Sequence, residues 1–262
     1  MSPTADQGFT PRNCFTAGVS VACSIDLKCK CAGLPSIDWF DPNANQGLSM
    51  SIKLYYAPYA CSIVPLVAFS EANADVEVCP INIRKKHHMT TEYRALNPKH
   101  KVPLLVVDGR PLSENVAILL WISRRFPEAG LLPVGDWQQA QAISILGWCA
   151  SGIHPHISRY NAPQKFCDLS GTQDSVRRLA ERALRDSFQL ANEQLAGRVY
   201  FFDRFSIADV YFFWCFRRTG MFDLDLAEFP NCQTHFEKLL ARRSIQEALE
   251  FESSVISQFE AA

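Results

Sequence analysis

The sequence predicts an α/β unit over residues 50–127, a linker over 128–136 and an all-α unit over 137–252, with 253–262 as a tail. Three observations carry this. Short β-forming runs alternate with an apolar helical stretch upstream of residue 127. Pro127-Glu128-Ala129-Gly130 then breaks the chain, and downstream the apolar residues repeat at helical rather than strand spacing.

Ile52-Lys53-Leu54-Tyr55-Tyr56 is rich in β-formers and reads as a strand, broken by Ala57-Pro58. From Cys61 to Ala72 the apolar residues favour a packed helix, and Pro65 is tolerable because it falls in the first turns. Val76 to Ile81 is a second strand, Leu104 to Val107 a third, and Arg110-Pro111-Leu112 a fourth reached through the Asp108-Gly109 turn. A helix from Glu114 to Phe126 closes the unit. Beyond the linker, Trp137 to about His154 places Ala140, Ile143, Leu146, Gly147 and Ala150 on one face. Asp174 to Ala196 is a long amphipathic helix ended by Gly197. Ser206 and Asp209 then stand at capping-box spacing, so Asp209 reads as a folding residue rather than a catalyst. The aromatic run from Tyr200 to Phe216 reads as core, on a helix buried on nearly all sides.

Residues 1–49 differ in kind. They are rich in Pro, Gly, Ser, Asn and Asp, lack an apolar period, and hold four of the ten cysteines. The expectation is a disordered extension, or a start assigned too early with Met50 as the true beginning. Cys29-Lys30-Cys31 is too tight for a zinc pair and no histidine precedes His87, so no metal is expected. A formal charge of −1 argues against general nucleic-acid binding, and no apolar stretch reaches the roughly 18 residues of a transmembrane helix. Ten cysteines without a secretory signal point to a reducing cytoplasm.

The most informative stretch is Asn97-Pro98-Lys99-His100-Lys101-Val102-Pro103-Leu104-Leu105, followed by Ser113-Glu114-Asn115. Val102-Pro103 lies between a turn and a strand, where proline can hold a cis bond and Val102 can offer its N–H and C=O to an extended peptide. Ser113-Glu114-Asn115 places backbone N–H groups and an amide at a helix N-terminus, suited to a carboxylate; Ser113 reads as an N-cap. Cys61 sits at the expected start of the first helix, where the dipole and free N–H groups favour a thiolate, either its own or that of a bound thiol.

Five motifs in order make a family resemblance. They are Tyr55-Tyr56-Ala57-Pro58-Tyr59-Ala60-Cys61-Ser62, the Asn-Pro-Lys-x-x-Val-Pro run, Glu114 before an Ala-Ile helix, His154 in Ala150-Ser151-Gly152-Ile153-His154, and Phe205-Ser206-Ile207-Ala208-Asp209. Residues 50 to about 252 resemble a cytosolic glutathione transferase, nearest the bacterial beta class. The resemblance implies a thioredoxin-like N-terminal domain with a helical C-terminal domain, glutathione as co-substrate, and a homodimer. It implies that Cys61 and His154 flank the glutathione sulfur as the catalytic pair, and that Lys86 lies near the glycyl carboxylate. Tyr56, Lys86, Lys101, Val102, Pro103, Glu114 and Asn115 form the expected glutathione-binding set. Tyr55, Tyr56, Tyr59 and Ser62 are further candidates for lowering the thiol pKa, with Tyr55 and Tyr56 facing opposite sides of the strand. Three departures stand out: Asn115 where the family has Ser, Thr or Gly, Gly152 where beta-class chains have an acid, and Pro155 where they have lysine.

The implied activity is attack of the glutathione thiol on a small hydrophobic electrophile held between the domains. Two alternatives stand beside it: a glutathione-dependent thiol-disulfide oxidoreductase acting through Cys61, and a non-catalytic binding or interaction module of the same fold.

Overall fold

The computed structural model describes residues 50–222 and 224–261. The expectation for residues 1–49 lies outside the described residues.

Four strands form one sheet in the order β2-β1-β3-β4: β1 (Ile52–Tyr56), β2 (Glu77–Pro80), β3 (Leu104–Val107) and β4 (Arg110–Ser113). β1 pairs parallel with β2 and antiparallel with β3, which pairs antiparallel with β4. The parallel pair requires a crossover, supplied by α1 (Ile63–Glu71). Alternation along β1 buries Ile52, Leu54 and Tyr56 on one face. There they meet Ile63, Val64 and Val67 of α1 and Ile118, Leu119 and Ile122 of α3 (Asn115–Arg125) in one apolar core. The opposite face is thinner, with Tyr93 of α2 (Thr91–Leu96) against Leu104, Val106 and the edge of Tyr55.

The helical unit comprises α4 (Asp136–Trp148), α5 (His154–Asn161), α6 (Gln173–Gln194), α7 (Ile207–Gly220), α8 (Pro230–Leu240) and α9 (Arg243–Ala261). α7 is buried at every position from Ile207 to Phe216, as an apolar-all-round helix must be. Its N-terminus carries the capping box: Asp209 accepts from Ser206 N–H at 2.8 Å and from Ser206 Oγ at 2.9 Å.

Three boundaries depart from the sequence reading. α1 begins at Ile63, with Ser62 at its N-cap, so Cys61 stands before the helix rather than in it. Ser62 Oγ is drawn back onto Ala57, donating to its carbonyl at 3.1 Å and accepting from its N–H at 3.0 Å, which folds residues 57–62 into a closed turn. Ser113 is the last residue of β4, and Glu114 with φ of 77° is the N-cap of α3 without a side-chain cap bond. Finally, α9 runs through Ala261, so helix replaces the expected tail, and its residue Glu252 is only 2% exposed.

The helix expected over 137–154 is interrupted. α4 ends at Trp148 and a five-residue π-turn, Cys149–Ile153, leads into α5 at His154. Pro155 has no N–H to donate to the preceding turn, which accounts for the wider winding here. Gly152 is required by packing: a Cβ there would stand 2.5 Å from Trp148 Cδ1.

Candidate active site

Two loops and two helix ends converge on one cleft. Asn97 Nδ2 and Tyr93 Oη both donate to the Lys101 carbonyl at 2.7 Å, which fixes the loop that presents Val102. The Val102-Pro103 peptide is cis. On the other side, Tyr59 N–H donates to Glu252 Oε2 at 2.6 Å and Trp214 Nε1–H donates to the Tyr59 carbonyl at 3.2 Å, holding the turn that carries Cys61. The π-turn rotates His154 toward the same space.

The resulting cavity, of about 270 Å³, is lined by Cys61, Lys101, Val102, Pro103, Glu114, Asn115 and His154, with Tyr211 and Phe166 among its other walls. Two of the expected residues lie elsewhere. Tyr56 is fully buried in the core, its hydroxyl donating to Glu252 Oε2 at 3.2 Å. The β1 alternation explains this, because Tyr56 shares a face with Leu54. Lys86 is exposed on the 82–90 loop, in a left-handed backbone conformation, and does not line the cleft. Of the other candidates, Ser62 is committed to Ala57 and Tyr59 does not line the cleft.

Asn115 departs from its expected role. Its amide turns inward, 5% exposed, and donates to the Cys61 carbonyl at 3.0 Å, tying the start of α3 to the Cys61 turn. What remains for an anion is the uncapped N-terminus of α3 and the charge of Lys101. Lys99 is neutralised by Glu114, with Nζ–Oε1 at 2.5 Å.

The sequence leaves open whether the thiolate is that of Cys61 or of a bound thiol, and burial decides against Cys61. It is 6% exposed, and burial pushes its thiol up to about 12, Lys101 only partly opposing this. The S–H points at the Val102 carbonyl, Sγ to O at 3.9 Å. Desolvation outweighs the helix dipole because Cys61 stands outside the helix. Cys61 is therefore a hydrogen-bond donor near neutral pH. Alkylation by iodoacetamide at pH 8, followed by peptide mass mapping, is expected to label Cys61 at least 100-fold more slowly than a free thiol of pKa about 8.5.

His154 is held between aromatic neighbours. Its ring stands edge-on to Trp214 at 4.5 Å between centroids, and Nδ1 lies 3.4 Å from Tyr211 Oη. Burial first, and Lys101 second, lower its pKa to about 4. Between the ordinary value of 6.5 and 4, the unfolded chain takes up a proton that the folded chain excludes. This stability contribution is fully present above pH 6.5 and is lost as pH falls toward 4, about 3 kcal/mol over the interval. Urea unfolding from pH 7 to 4.5 should show that fall, and a His154→Gln variant should show less of it.

The sequence reading missed Glu252 and placed Tyr211 in the core only. Glu252 is far along the chain and has no local motif; Tyr211 is hidden in an aromatic run, and its place in the cleft wall is set by tertiary packing.

Comparison with known proteins agrees with this architecture. Residues 50–124 match the family pattern described as glutathione S-transferase, N-terminal domain. Glutathione S-transferase GstA of Escherichia coli O157:H7 is 29% identical over 208 residues, spanning 77% of this chain and 98% of that protein. Probable maleylacetoacetate isomerase 1 of Drosophila melanogaster is also 29% identical over 208 residues, spanning 76% and 81%. Among solved structures, a sphingomonad glutathione S-transferase complexed with glutathione superposes with a TM-score of 0.68 at 29% identity, covering 77% of this chain and 98% of that one. The bacterial beta class glutathione S-transferase of Sphingomonas chungbukensis gives a TM-score of 0.68 at 27% identity, covering 76% and 98%.

Proposed function

We propose that the chain, whose residues 50–124 match the N-terminal domain of glutathione S-transferases and which is 29% identical to one of them over most of its length, is a transferase that conjugates glutathione to a small apolar electrophile in the cleft between sheet and helices. The observation that carries this reading is the convergence of Cys61, Lys101, Val102, Pro103, Glu114 and His154 on one cavity from four separate parts of the chain. Val102 offers an N–H without a partner among the described residues, the start of α3 offers uncapped N–H groups, and Lys101 offers a positive charge. Together these suit the backbone and carboxylates of a tripeptide. Its sulfur would lie between Cys61 and His154. Both are neutral near pH 7, and donation from His154, joined by Cys61 once its S–H turns from the Val102 carbonyl, favours the thiolate form of the ligand.

The high thiol pKa counts against the oxidoreductase alternative, which needs Cys61 as a nucleophile. The test is an assay of the full chain and of Cys61→Ser for retention on immobilised glutathione, conjugation of an aromatic halide and reduction of a mixed disulfide. The reading expects binding and conjugation in both proteins. Disulfide reduction that vanishes in Cys61→Ser would support the oxidoreductase, and absence of binding would support a non-catalytic module.

A second reading follows from the isomerase-named relative. The same thiolate could add reversibly to a cis-alkene flanked by carbonyls and leave after rotation, so that glutathione is not consumed. Turnover of maleylacetoacetate with substoichiometric glutathione decides between the two. A homodimer and a cytoplasmic location complete the proposal, the first tested by sedimentation of the purified chain and the second by fractionation of its host.

A further inference from the structure

Tyr211 lines the cleft beside His154 and has no part in the reading above. It is 2% exposed, on the buried helix α7, with its ring beside Trp214 at 6.0 Å and its hydroxyl beside His154, which also lines the cleft. We propose that Tyr211 is a positioning residue: its hydroxyl donates to His154 Nδ1, fixing the imidazole as the Nε2–H tautomer and presenting that proton to the glutathione sulfur. The proposal rests on the transferase reading for its consequence, though not for the pairing itself.

Tyr211 Oη and His154 Nδ1 are 3.4 Å apart, a long hydrogen bond, and either atom could be the donor. Were Nδ1–H the donor, the buried Tyr211 proton would need another acceptor. Asn115 Oδ1, buried and without a hydrogen bond, is the competing acceptor, but among the described residues the hydrogen bond that Tyr211 Oη makes is the one to His154 Nδ1. Burial keeps the tyrosine protonated, the Asn115 amide opposing this only in part, and keeps the imidazole neutral. A neutral imidazole that accepts at Nδ1 carries its hydrogen on Nε2. Nε2 has no partner among the described residues. Trp214, in edge contact with the imidazole at 4.5 Å between centroids, limits rotation that would exchange the two nitrogens. The charged and titratable groups facing His154 are Lys101 from the loop before β3, Cys61 from the turn before α1, and Tyr211 from α7.

Tyr211→Phe keeps the buried ring and removes only the hydroxyl, so it is the informative variant. With the histidines labelled with 15N, wild-type protein at pH 7 should show His154 with unprotonated Nδ1 and protonated Nε2. Tyr211→Phe should shift the population toward Nδ1–H. With glutathione bound, the ultraviolet absorbance of its thiolate should titrate at higher pH in the variant than in wild type. Turnover should fall about three- to tenfold, the worth of one ordinary hydrogen bond, with the KM for glutathione little changed. A wild-type His154 carrying its proton on Nδ1, or a variant with unchanged tautomer and unchanged thiolate titration, would overturn the proposal. A wild-type chain with the Nε2–H tautomer that binds no glutathione would instead refute the transferase reading and leave the Tyr211–His154 pairing supported.

Discussion

Asp209→Ala is expected to cost about 4 kcal/mol of folding stability, on the scale of 1–3 kcal/mol for each buried group left without its partner. The carboxylate is fully buried and receives four donors: Phe201 N–H at 2.9 Å, Ser206 N–H at 2.8 Å, Ser206 Oγ at 2.9 Å and His235 Nε2 at 3.1 Å. Alanine strands all four in a region packed by Phe201, Phe212 and the His235 ring. Urea unfolding of the variant against wild type measures the loss, which is a large share of the roughly 5–15 kcal/mol of a typical domain. Activity should decline with it, because α7 carries Tyr211 to the cleft and Trp214 to the His154 ring. A loss under 1 kcal/mol would mean that the network does not anchor the helix.

His154→Ala is the substitution with the largest expected effect on chemistry. Removing a neutral donor from an ionised sulfur should reduce conjugation about ten- to hundredfold, the range for a hydrogen bond to a charged group. Because the histidine pKa is lowered to about 4 by burial, it stays neutral from pH 5.5 upward. The wild-type pH–rate profile should therefore show no inflexion from it near 6.5, and any rise with pH should track ionisation of the bound thiol. Steady-state kinetics with an aromatic halide test both points. Cys61→Ser should lie within about threefold of wild type, since serine retains an O–H donor where the cysteine offers S–H.

The parts of this molecule legible in its sequence are those written in local patterns. The strand alternation of Ile52-Lys53-Leu54-Tyr55-Tyr56, the Ser206-to-Asp209 spacing and the turn at Asn97-Pro98 each depend on residues a few positions apart, and the structure contains each. Seven of the nine expected site residues line the cleft for the same reason, since the loops that carry them are defined locally. Where the reading departed, the cause was tertiary. The place of Cys61 in the chain leaves open which thiol ionises, its own or a bound one, because its solvent exposure depends on Val102 and on a turn pinned by Glu252, 191 residues further on. Asn115 was expected to meet a ligand, but its amide serves the Cys61 carbonyl. Gly152 looked like a missing acid and is instead the place where the Trp148 ring lies. Tyr56 could have been excluded from sequence, because strand alternation places it with Leu54 on the core face.

The claim that joins these observations is that glutathione lies along Val102 with its sulfur between Cys61 and His154. A crystal structure of the full chain grown with glutathione tests it most directly. The account predicts the cysteinyl backbone paired with Val102, a carboxylate at the start of α3, and the sulfur within hydrogen-bonding distance of Cys61 Sγ and His154 Nε2. Glutathione bound elsewhere, or its sulfur turned away from both side chains, would contradict it.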